Sequence, residues 1–276
     1  MQTTTLAFIG GGNMAASIIG GLLRQGWPAR ALQVAEPNEQ RRHWLQAELG
    51  IEPLEDNTRA CQRADVVLMA VKPQVMTRVT AELAPLFQQR QPLLISIAAG
   101  VPSGFFTRRL HPGLPVVRAM PNTPALVGEG ACVLFANPKV SPQQRSLAER
   151  ILEATGLVRW VDDEQHMHAV TALSGSGPAY FFRMMEALEA AATARGLPAD
   201  LARELVIQTA LGAARLARVD TAGPAELRQR VTSPGGTTEA ALNRLEQGGL
   251  AELMQQAVDA AWERSHTLET ELEDQP

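Results

Sequence analysis

The sequence has 276 residues, 45% of them hydrophobic and 20% charged, an ordinary composition for a globular protein of one or two domains. Its formal net charge of −4 provides no basic field for a phosphate backbone, so we expect no nucleic-acid partner. No apolar run reaches the roughly 18 residues of a membrane-spanning helix, and the amino terminus lacks a signal-peptide pattern, so we expect a soluble, cytoplasmic protein without a membrane contact.

The first predicted strand, Leu6–Ile9, runs directly into a glycine-rich turn, Gly10–Ala15, and then into a helix. Gly10 permits a tight turn, Gly12 lets the backbone approach a pyrophosphate, and Ala15 still allows the helix to pack closely on the strand. Strand, glycines and helix follow one another in the order that a dinucleotide fingerprint requires. The cofactor residues predicted in this turn are Gly10, Gly12, Asn13 and Met14.

Apolar strands and helices then alternate along the chain. The next strands are predicted at Leu32–Glu36, Asp65–Ala70, Leu93–Ala98 and Val116–Ala119, with helices at Glu39–Leu49 and Gln74–Leu86. This alternation predicts an α/β fold, a Rossmann-like doubly wound parallel sheet that binds ligands at the carboxyl ends of its strands. The cofactor residues predicted at those ends are Glu36, Ala70, Val71, Lys72, Pro73, Ala98 and Asn122.

The choice of cofactor depends on Glu36, which ends the second predicted strand 21 residues after Ala15. An acid at this position accepts hydrogen bonds from a ribose 2′-hydroxyl and repels a 2′-phosphate, which favours NADH. Arg41 and Arg42 begin the next helix, where they either reach a phosphate or form a solvated helix face. These residues leave the choice between NADH and NADPH open.

Two more predicted strands, Ala131–Ala136 and Leu157–Val161, flank a helix at Pro142–Ala154 and complete a dinucleotide-binding domain over residues 1–162. Residues 163–276 lack a strand pattern and contain alanine-rich runs, which predicts an all-helical domain with closely packed helices. Helices so poor in charge along one side indicate burial against a second subunit.

Cysteine and histidine residues indicate no metal site and no disulfide framework. Cys61 and Cys132 are the two cysteines, and Cys132 lies in an apolar run where we expect a small buried side chain. His166 and His168 are too few for a catalytic zinc site, which needs three protein ligands. We therefore predict no metal.

An anion site is predicted nearer the carboxyl terminus, where the run Ser233–Glu239 reads Ser-Pro-Gly-Gly-Thr-Thr-Glu. The glycine pair leaves backbone N–H groups uncovered, and the free N–H groups and dipole at the start of the following helix favour an anion. This cradle, Ser233–Thr238, is predicted to hold a carboxylate. The alternative is an ordinary capped helix after a Pro-Gly turn, which binds nothing.

Two longer stretches, Val231-Thr-Ser-Pro-Gly-Gly-Thr-Thr-Glu-Ala240 and Leu173-Ser-Gly-Ser-Gly-Pro-Ala-Tyr180, make the sequence resemble the pyrroline-5-carboxylate reductases, which produce L-proline, over essentially the whole chain. The resemblance implies NADPH or NADH as cofactor and 1-pyrroline-5-carboxylate as the small-molecule substrate. It also implies interlocked dimers, often assembled into decamers, with the active site between the nucleotide domain of one chain and the helices of another. Gly175 and Gly177 are expected to serve tight packing at a helix start.

The resemblance further implies roles for single residues. Thr238 takes the catalytic role, its hydroxyl hydrogen-bonded to the imine nitrogen, and Asn57 either lies near the adenosine ribose or caps a helix. The substrate-binding residues it implies are Met120, Asn122, Ser176, Ser233, Gly235, Gly236, Thr237 and Thr238. One departure is Thr221, which stands where many members carry an acid. Either Asp220 replaces that acid or the contact is not used.

Reduction of a C=N bond needs a hydride at carbon and a proton at nitrogen. If the imine binds already protonated, Thr238 orients and stabilises it rather than titrating. Two absences favour an imine over a ketone: Met184 stands where Tyr180 would need a lysine partner, and Phe181 stands where hydroxyacid dehydrogenases place a lysine. The alternatives are a reductase of another cyclic imine acid and a nucleotide-sensing protein without turnover.

Overall fold

The computed structural model describes residues 4–273 of the chain. Its centre is one sheet of seven strands in the order β2-β1-β3-β4-β5-β6-β7. The strands are β1 Leu6–Ile9, β2 Leu32–Ala35, β3 Val66–Met69, β4 Leu93–Ser96, β5 Val116–Met120, β6 Gly130–Ala136 and β7 Gly156–Val161. Neighbouring strands run parallel, except that β6 runs antiparallel to β5. The predicted α/β fold with an amino-terminal doubly wound sheet is confirmed.

Strands β1 and β3 are buried on both faces, which explains why they are unbroken apolar runs. Phe8 and Leu68 contribute to the core layer on one face. Ile9 and Val67 contribute to the layer on the other face. Successive side chains of one strand alternate between the two faces, so every position needs an apolar residue.

Three strands end one or two residues before their predicted ends, at Ala35, Met69 and Ser96. Polar contacts of the loops begin directly after two of these ends. The Glu36 carboxylate accepts a hydrogen bond from the Gly11 N–H group, and the Ala98 N–H group donates to the Ser96 hydroxyl. The polar ligand-binding edge of the sheet therefore starts slightly earlier than hydrophobicity alone indicates.

Twelve helices surround or follow the sheet within the described residues. They are α1 Asn13–Arg24, α2 Glu39–Leu49, α3 Asn57–Cys61, α4 Pro73–Gln89, α5 Ser103–Arg109, α6 Pro142–Leu152, α7 His166–Val170, α8 Gly177–Thr193, α9 Ala199–Val219, α10 Pro224–Arg230, α11 Thr237–Gln247 and α12 Leu250–Glu273. The helix predicted to reach Ala154 ends at Leu152 and is followed by a 3-10 turn, Glu153–Thr155. No helix described between residues 4 and 273 is long and apolar enough to cross a membrane.

Close packing at Gly21 holds α1 against that 3-10 turn. A Cβ atom at Gly21 would collide with the carbonyl oxygen of Ala154, whereas a Cβ at Gly20 would lie 3.4 Å or more from its nearest neighbours. The close approach fixes α1, and therefore the glycine turn that precedes it, relative to the sheet.

Both cysteines are buried, as expected for Cys132, and burial raises the pKa of each thiol to about 12.

The chain forms two compact units. One comprises the chain up to Ser176 together with the residues from Ala260 onward, and the other is Gly177–Asp259. The second unit is helical, and no strand follows Val161 in the part of the chain that the structure describes. The division after residue 162 stays a prediction.

Candidate active site

The glycine turn lies over the carboxyl end of β3. Gly10 has φ +96°, and a Cβ there would lie 2.8 Å from the Ala70 carbonyl oxygen, so a side chain is excluded by both conformation and space. Gly12 begins α1 without a side-chain cap, and no atom lies within 4 Å of where its Cβ would be. Uncapped N–H groups and open space at the start of a 12-residue helix fit a pyrophosphate. Exposed Asn13 and half-buried Met14 follow directly.

The remaining predicted cofactor residues at the sheet edge follow the same strands. Ala70 and Val71 leave β3 half-buried, Lys72 is exposed at the start of α4, and half-buried Pro73 is the first residue of that helix. Ala98 is half-buried two residues after the end of β4. Parallel strands place these ends along one edge of the sheet, as the sequence predicts.

Glu36 is tied to the glycine turn. Its carboxylate accepts hydrogen bonds from the N–H groups of Gly11 and Asn38, both at 2.9 Å. The Arg41 Nε donates to the Gly11 carbonyl oxygen at 2.6 Å, and the Arg42 Nη1 donates to the Glu36 carbonyl oxygen at 2.9 Å. The carboxylate therefore lies at the nucleotide edge, and both arginines donate to backbone carbonyls.

Asn57 is not the cap of its helix. Asp56 caps α3 by accepting a hydrogen bond from the Arg59 N–H group at 2.8 Å. The Asn57 Nδ2 instead donates to the Glu82 carboxylate at 2.9 Å. The capping alternative for Asn57 is therefore wrong, and its contact with a ribose stays a prediction.

A second cluster joins the end of β5 to the Leu173–Tyr180 stretch. The Asn122 Nδ2 donates to the Ser174 carbonyl oxygen at 3.0 Å, and its Oδ1 accepts from the Ala131 N–H group at 2.9 Å. A Cβ at Gly175 would displace the Met120 methyl group, the end of a flexible side chain, so Met120 packs directly on this glycine as predicted.

Ser176 is half-buried and follows this contact directly. Gly177 begins α8 as predicted, but no atom lies within 4 Å of where its Cβ would be. Gly177 is buried at the start of the helix, and its packing role stays a prediction.

The cradle Ser233–Thr238 lies in the second unit and is more satisfied than its sequence indicates. The Gly235 N–H group donates to the Glu239 carboxylate at 2.8 Å, and the Gly236 N–H group donates to the Ser233 carbonyl oxygen at 3.0 Å. The prediction that the glycine pair leaves its N–H groups uncovered is therefore wrong, because the turn closes on itself. The helix α11 begins at Thr237 as predicted, with no side-chain cap at Gly236. Its first amides are the remaining anion donors.

Asp220, the acid beside Thr221, holds the turn that precedes α10. It accepts a hydrogen bond from the Ala222 N–H group at 2.9 Å and pairs with Arg230 at 2.8 Å. The hydrogen bond from Ala222 and the charge of Arg230 lower the pKa of this carboxyl group. These contacts give Asp220 a structural role in the second unit.

Sequence reasoning missed a buried charged cluster on β5. Arg118 is 4% exposed and pairs with Glu164 at 2.8 Å, and Glu164 also accepts hydrogen bonds from the N–H and hydroxyl groups of Ser103, both at 2.6 Å. The signal was available, because an arginine inside the apolar strand Val-Val-Arg-Ala-Met requires a buried partner.

His168 is buried beside this cluster. Its Nδ1 lies 3.0 Å from the Ser265 hydroxyl and its Nε2 lies 3.1 Å from the Glu269 carboxylate. Burial, with the charges of His266 and Arg118, lowers the pKa of His168 to about 4. Among residues 4–273 no group of three or more His, Cys, Asp or Glu side chains could hold a metal ion.

The sheet, its glycine turn and the uncapped start of α1 define a dinucleotide-binding protein of the Rossmann class. Residues 5–100 match a family model described as NADP oxidoreductase, coenzyme F420-dependent, and residues 164–268 match one described as pyrroline-5-carboxylate reductase dimerisation. The chain is 48% identical to a pyrroline-5-carboxylate reductase of Pseudomonas aeruginosa over 272 residues, covering 99% of both chains. The chain belongs to the pyrroline-5-carboxylate reductase family.

Solved structures agree with this assignment. A pyrroline-5-carboxylate reductase from Coxiella burnetii aligns with a TM-score of 0.91 and 43% identity, covering 97% of this chain and 99% of its own. A Plasmodium falciparum pyrroline carboxylate reductase with NADP bound aligns with a TM-score of 0.87 and 28% identity, covering 98% of this chain and 99% of its own. The fold is therefore that of the family over at least 97% of this chain.

Proposed function

We propose that the protein reduces 1-pyrroline-5-carboxylate to L-proline with NADPH or NADH. The observation that carries the proposal is the full-length match to named reductases, at up to 48% identity in the relatives above. The uncapped α1 start and the open space at Gly12 support nucleotide binding. The family resemblance at the run Ser233–Thr238 supports the cyclic imine acid as substrate.

In this proposal the bound nicotinamide supplies a hydride to the imine carbon. The first amides of α11 and the hydroxyls of Ser233 and Thr237 hold the substrate carboxylate. The Thr238 hydroxyl forms a hydrogen bond with the ring nitrogen. This nitrogen either is already protonated when the imine binds or receives its proton from solvent. Holding the substrate and the nicotinamide in a reactive orientation lowers the activation barrier by up to about 7–11 kcal/mol in favourable cases.

Met120 and Ser176 form the substrate side of the first unit in this proposal, and Gly175 is the residue on which Met120 packs. Their support is the packing of Met120 on Gly175, which brings the end of β5 to the second family stretch. The cofactor contacts run along the glycine turn and the strand ends already described. Asn57 and Glu36 are proposed to face the adenosine ribose.

We further propose that NADH is preferred over NADPH. The Glu36 carboxylate lies at the glycine turn, where it would repel a 2′-phosphate. The Arg41 Nε and Arg42 Nη1 donate to backbone carbonyl oxygens, and the Arg41 Nη2 is a buried donor at this edge that has no hydrogen-bond partner among the described residues. Glu36→Gln is expected to raise the NADPH rate relative to the NADH rate.

Self-association is proposed as dimers, assembled further into decamers, in the cytoplasm. The dimerisation family model covers residues 164–268. Apolar side chains exposed on α8 and α9 support it, since a single chain leaves Phe181, Phe182, Leu188, Leu205 and Ile207 each about half exposed or more. A sedimentation measurement tests both states, and a monomer at micromolar concentration would contradict the proposal.

The test of the reaction mixes purified protein with 1-pyrroline-5-carboxylate and follows oxidation of NADPH and NADH in parallel. Thr238→Ala is expected to lower kcat/KM by about 10- to 150-fold, the cost of one hydrogen bond to a charged group, without abolishing turnover. Thr232→Ala is the matched control, because the Thr232 hydroxyl donates to the Arg228 carbonyl oxygen. Tight nucleotide binding without any oxidation would overturn the proposal and favour a sensor or another imine acid.

A further inference from the structure

Both ends of the Asn122 carboxamide are used within the protein. Its Nδ2 donates to the Ser174 carbonyl oxygen at 3.0 Å, and its Oδ1 accepts from the Ala131 N–H group at 2.9 Å. The residue is 9% exposed. Each end of the carboxamide makes one of its two possible hydrogen bonds, and burial of the residue limits access of a substrate or a nucleotide to the remaining donor and acceptor.

The local sequence removes one possible donor to the Ser174 carbonyl oxygen. In an α-helix the carbonyl oxygen of residue 174 accepts from the N–H group of residue 178, and Pro178 has none. The chain is wound here as a π-turn, Thr171–Gly175, in which the Ser176 N–H group donates to the Thr171 carbonyl oxygen at 2.9 Å. The Ser174 hydroxyl donates to the Val170 carbonyl oxygen, and the Ser174 carbonyl oxygen accepts from Asn122.

A packing contact accompanies the hydrogen bond. Gly175 follows Ser174 and Met120 precedes Asn122 by two residues, and a Cβ at Gly175 would collide with the Met120 methyl group. One hydrogen bond and one close contact therefore join the end of β5 to the π-turn. Single π-turns of this kind are frequent at functional sites.

We propose that Asn122 is a positioning residue rather than a ligand of substrate or cofactor. Its carboxamide holds the π-turn against the end of β5 and so fixes where Ser176 lies relative to Met120. The proposal rests on the proposed function, in which these two residues face the substrate. A misplacement of about 1 Å costs up to about 100-fold in rate.

The test compares Asn122→Ala with Asn137→Ala. Asn137 is a matched control because it is 7% exposed and also bridges backbone groups at both ends, donating to the Leu114 carbonyl oxygen and accepting from the Val116 N–H group. It lies at the opposite end of β5. Asn122→Ala is expected to lower kcat/KM for 1-pyrroline-5-carboxylate at least about tenfold while the Kd of NADPH stays within about twofold.

A second variant tests the mechanism of the effect. Pro178→Ala restores an N–H group four residues after Ser174, so Asn122→Ala is expected to cost less in that background than in the wild type. Additive losses would overturn the role assigned to the Ser174 carbonyl. An increase in the NADPH Kd that matches the loss in kcat/KM would instead make Asn122 a cofactor ligand.

Hydrogen exchange of the peptide backbone separates this proposal from the proposed function. Asn122→Ala is expected to speed exchange in residues 171–176 at least about tenfold, and Asn137→Ala is expected to leave it unchanged. Unchanged exchange in Asn122→Ala would overturn the positioning role even in an active enzyme. Absence of turnover in the wild type would refute the proposed function alone, since the exchange result still decides the structural claim.

Discussion

Glu164→Gln should destabilise the protein by breaking a buried ion pair. The Arg118 side chain is 5% exposed and pairs with Glu164 at 2.8 Å, and Glu164 also accepts two hydrogen bonds from Ser103. Removing one partner of a buried pair costs about 3–5 kcal/mol. The amide retains an acceptor oxygen and Glu269 lies 4.0 Å from the Arg118 Nη1, so we expect the lower end, about 3 kcal/mol.

In a chain of this size that loss lowers the unfolding midpoint by about 6–12 °C. The measurement is thermal and urea unfolding followed by far-ultraviolet circular dichroism. Protein concentration is held constant, because self-association makes the midpoint depend on concentration. Exposed Glu48 on α2 provides the control, since Glu48→Gln should change the free energy of unfolding by no more than about 0.5 kcal/mol.

The double variant Arg118→Met, Glu164→Gln distinguishes a coupled pair from two independent losses. It should lose less than the sum of the single variants, by about 0.5–3 kcal/mol, because the double variant leaves no unpaired arginine. A Glu164→Gln loss no larger than that of Glu48→Gln, or additive single losses, would refute the burial argument.

Two further predictions concern the packing of α1 and the titration of His168. Gly21→Ala should destabilise the protein by about 1–3 kcal/mol, because the added methyl group clashes with Ala154. Gly20→Ala has room for the methyl group and should stabilise the protein by up to about 1 kcal/mol. Equal urea midpoints for the two variants would contradict this prediction. Because the pKa of His168 is lowered to about 4, the unfolded chain binds its proton first, and stability should fall as pH decreases from about 6.5 to 4. His168→Gln should remove up to about 3 kcal/mol of this pH-dependent loss of stability. The figure is an upper limit, because the Glu269 carboxylate lies 3.1 Å from Nε2 and favours the charged ring. An unchanged dependence of stability on pH in the variant would refute the prediction.

The sheet and its ligand edge could be predicted because they follow from local patterns. Strands in the interior of a sheet are largely apolar, so hydrophobicity located all seven strands to within one or two residues. The glycine turn was predicted for the same reason, since Gly10 adopts a positive φ that other residues rarely adopt. The starts of α8 and α11 could be predicted as well, because they too follow from the local sequence.

The errors in the site arose where hydrogen-bond partners decide the outcome. Gly235 looked free in the sequence, yet its N–H group donates to Glu239 four residues later. The hydrogen-bond partners of Asn122, Ser174 and Ala131, lie 52 and 9 residues away in the chain, and its role as a ligand stays a prediction. The sequence shows that a polar side chain in an apolar segment needs a hydrogen-bond partner, but it does not show which residue that partner is.

The sequence by itself determined the doubly wound fold, the nucleotide edge and the family, because periodicity, glycine conformation and motif order are encoded locally. Only the tertiary structure decided which polar groups remain available for a ligand. The Arg118–Glu164 pair joins residues 46 positions apart, and the Asn122–Ser174 bond joins β5 to a π-turn. Such contacts depend on which distant segments pack together. A buried polar group is costly without a hydrogen bond, and its partner is whichever group the fold places next to it.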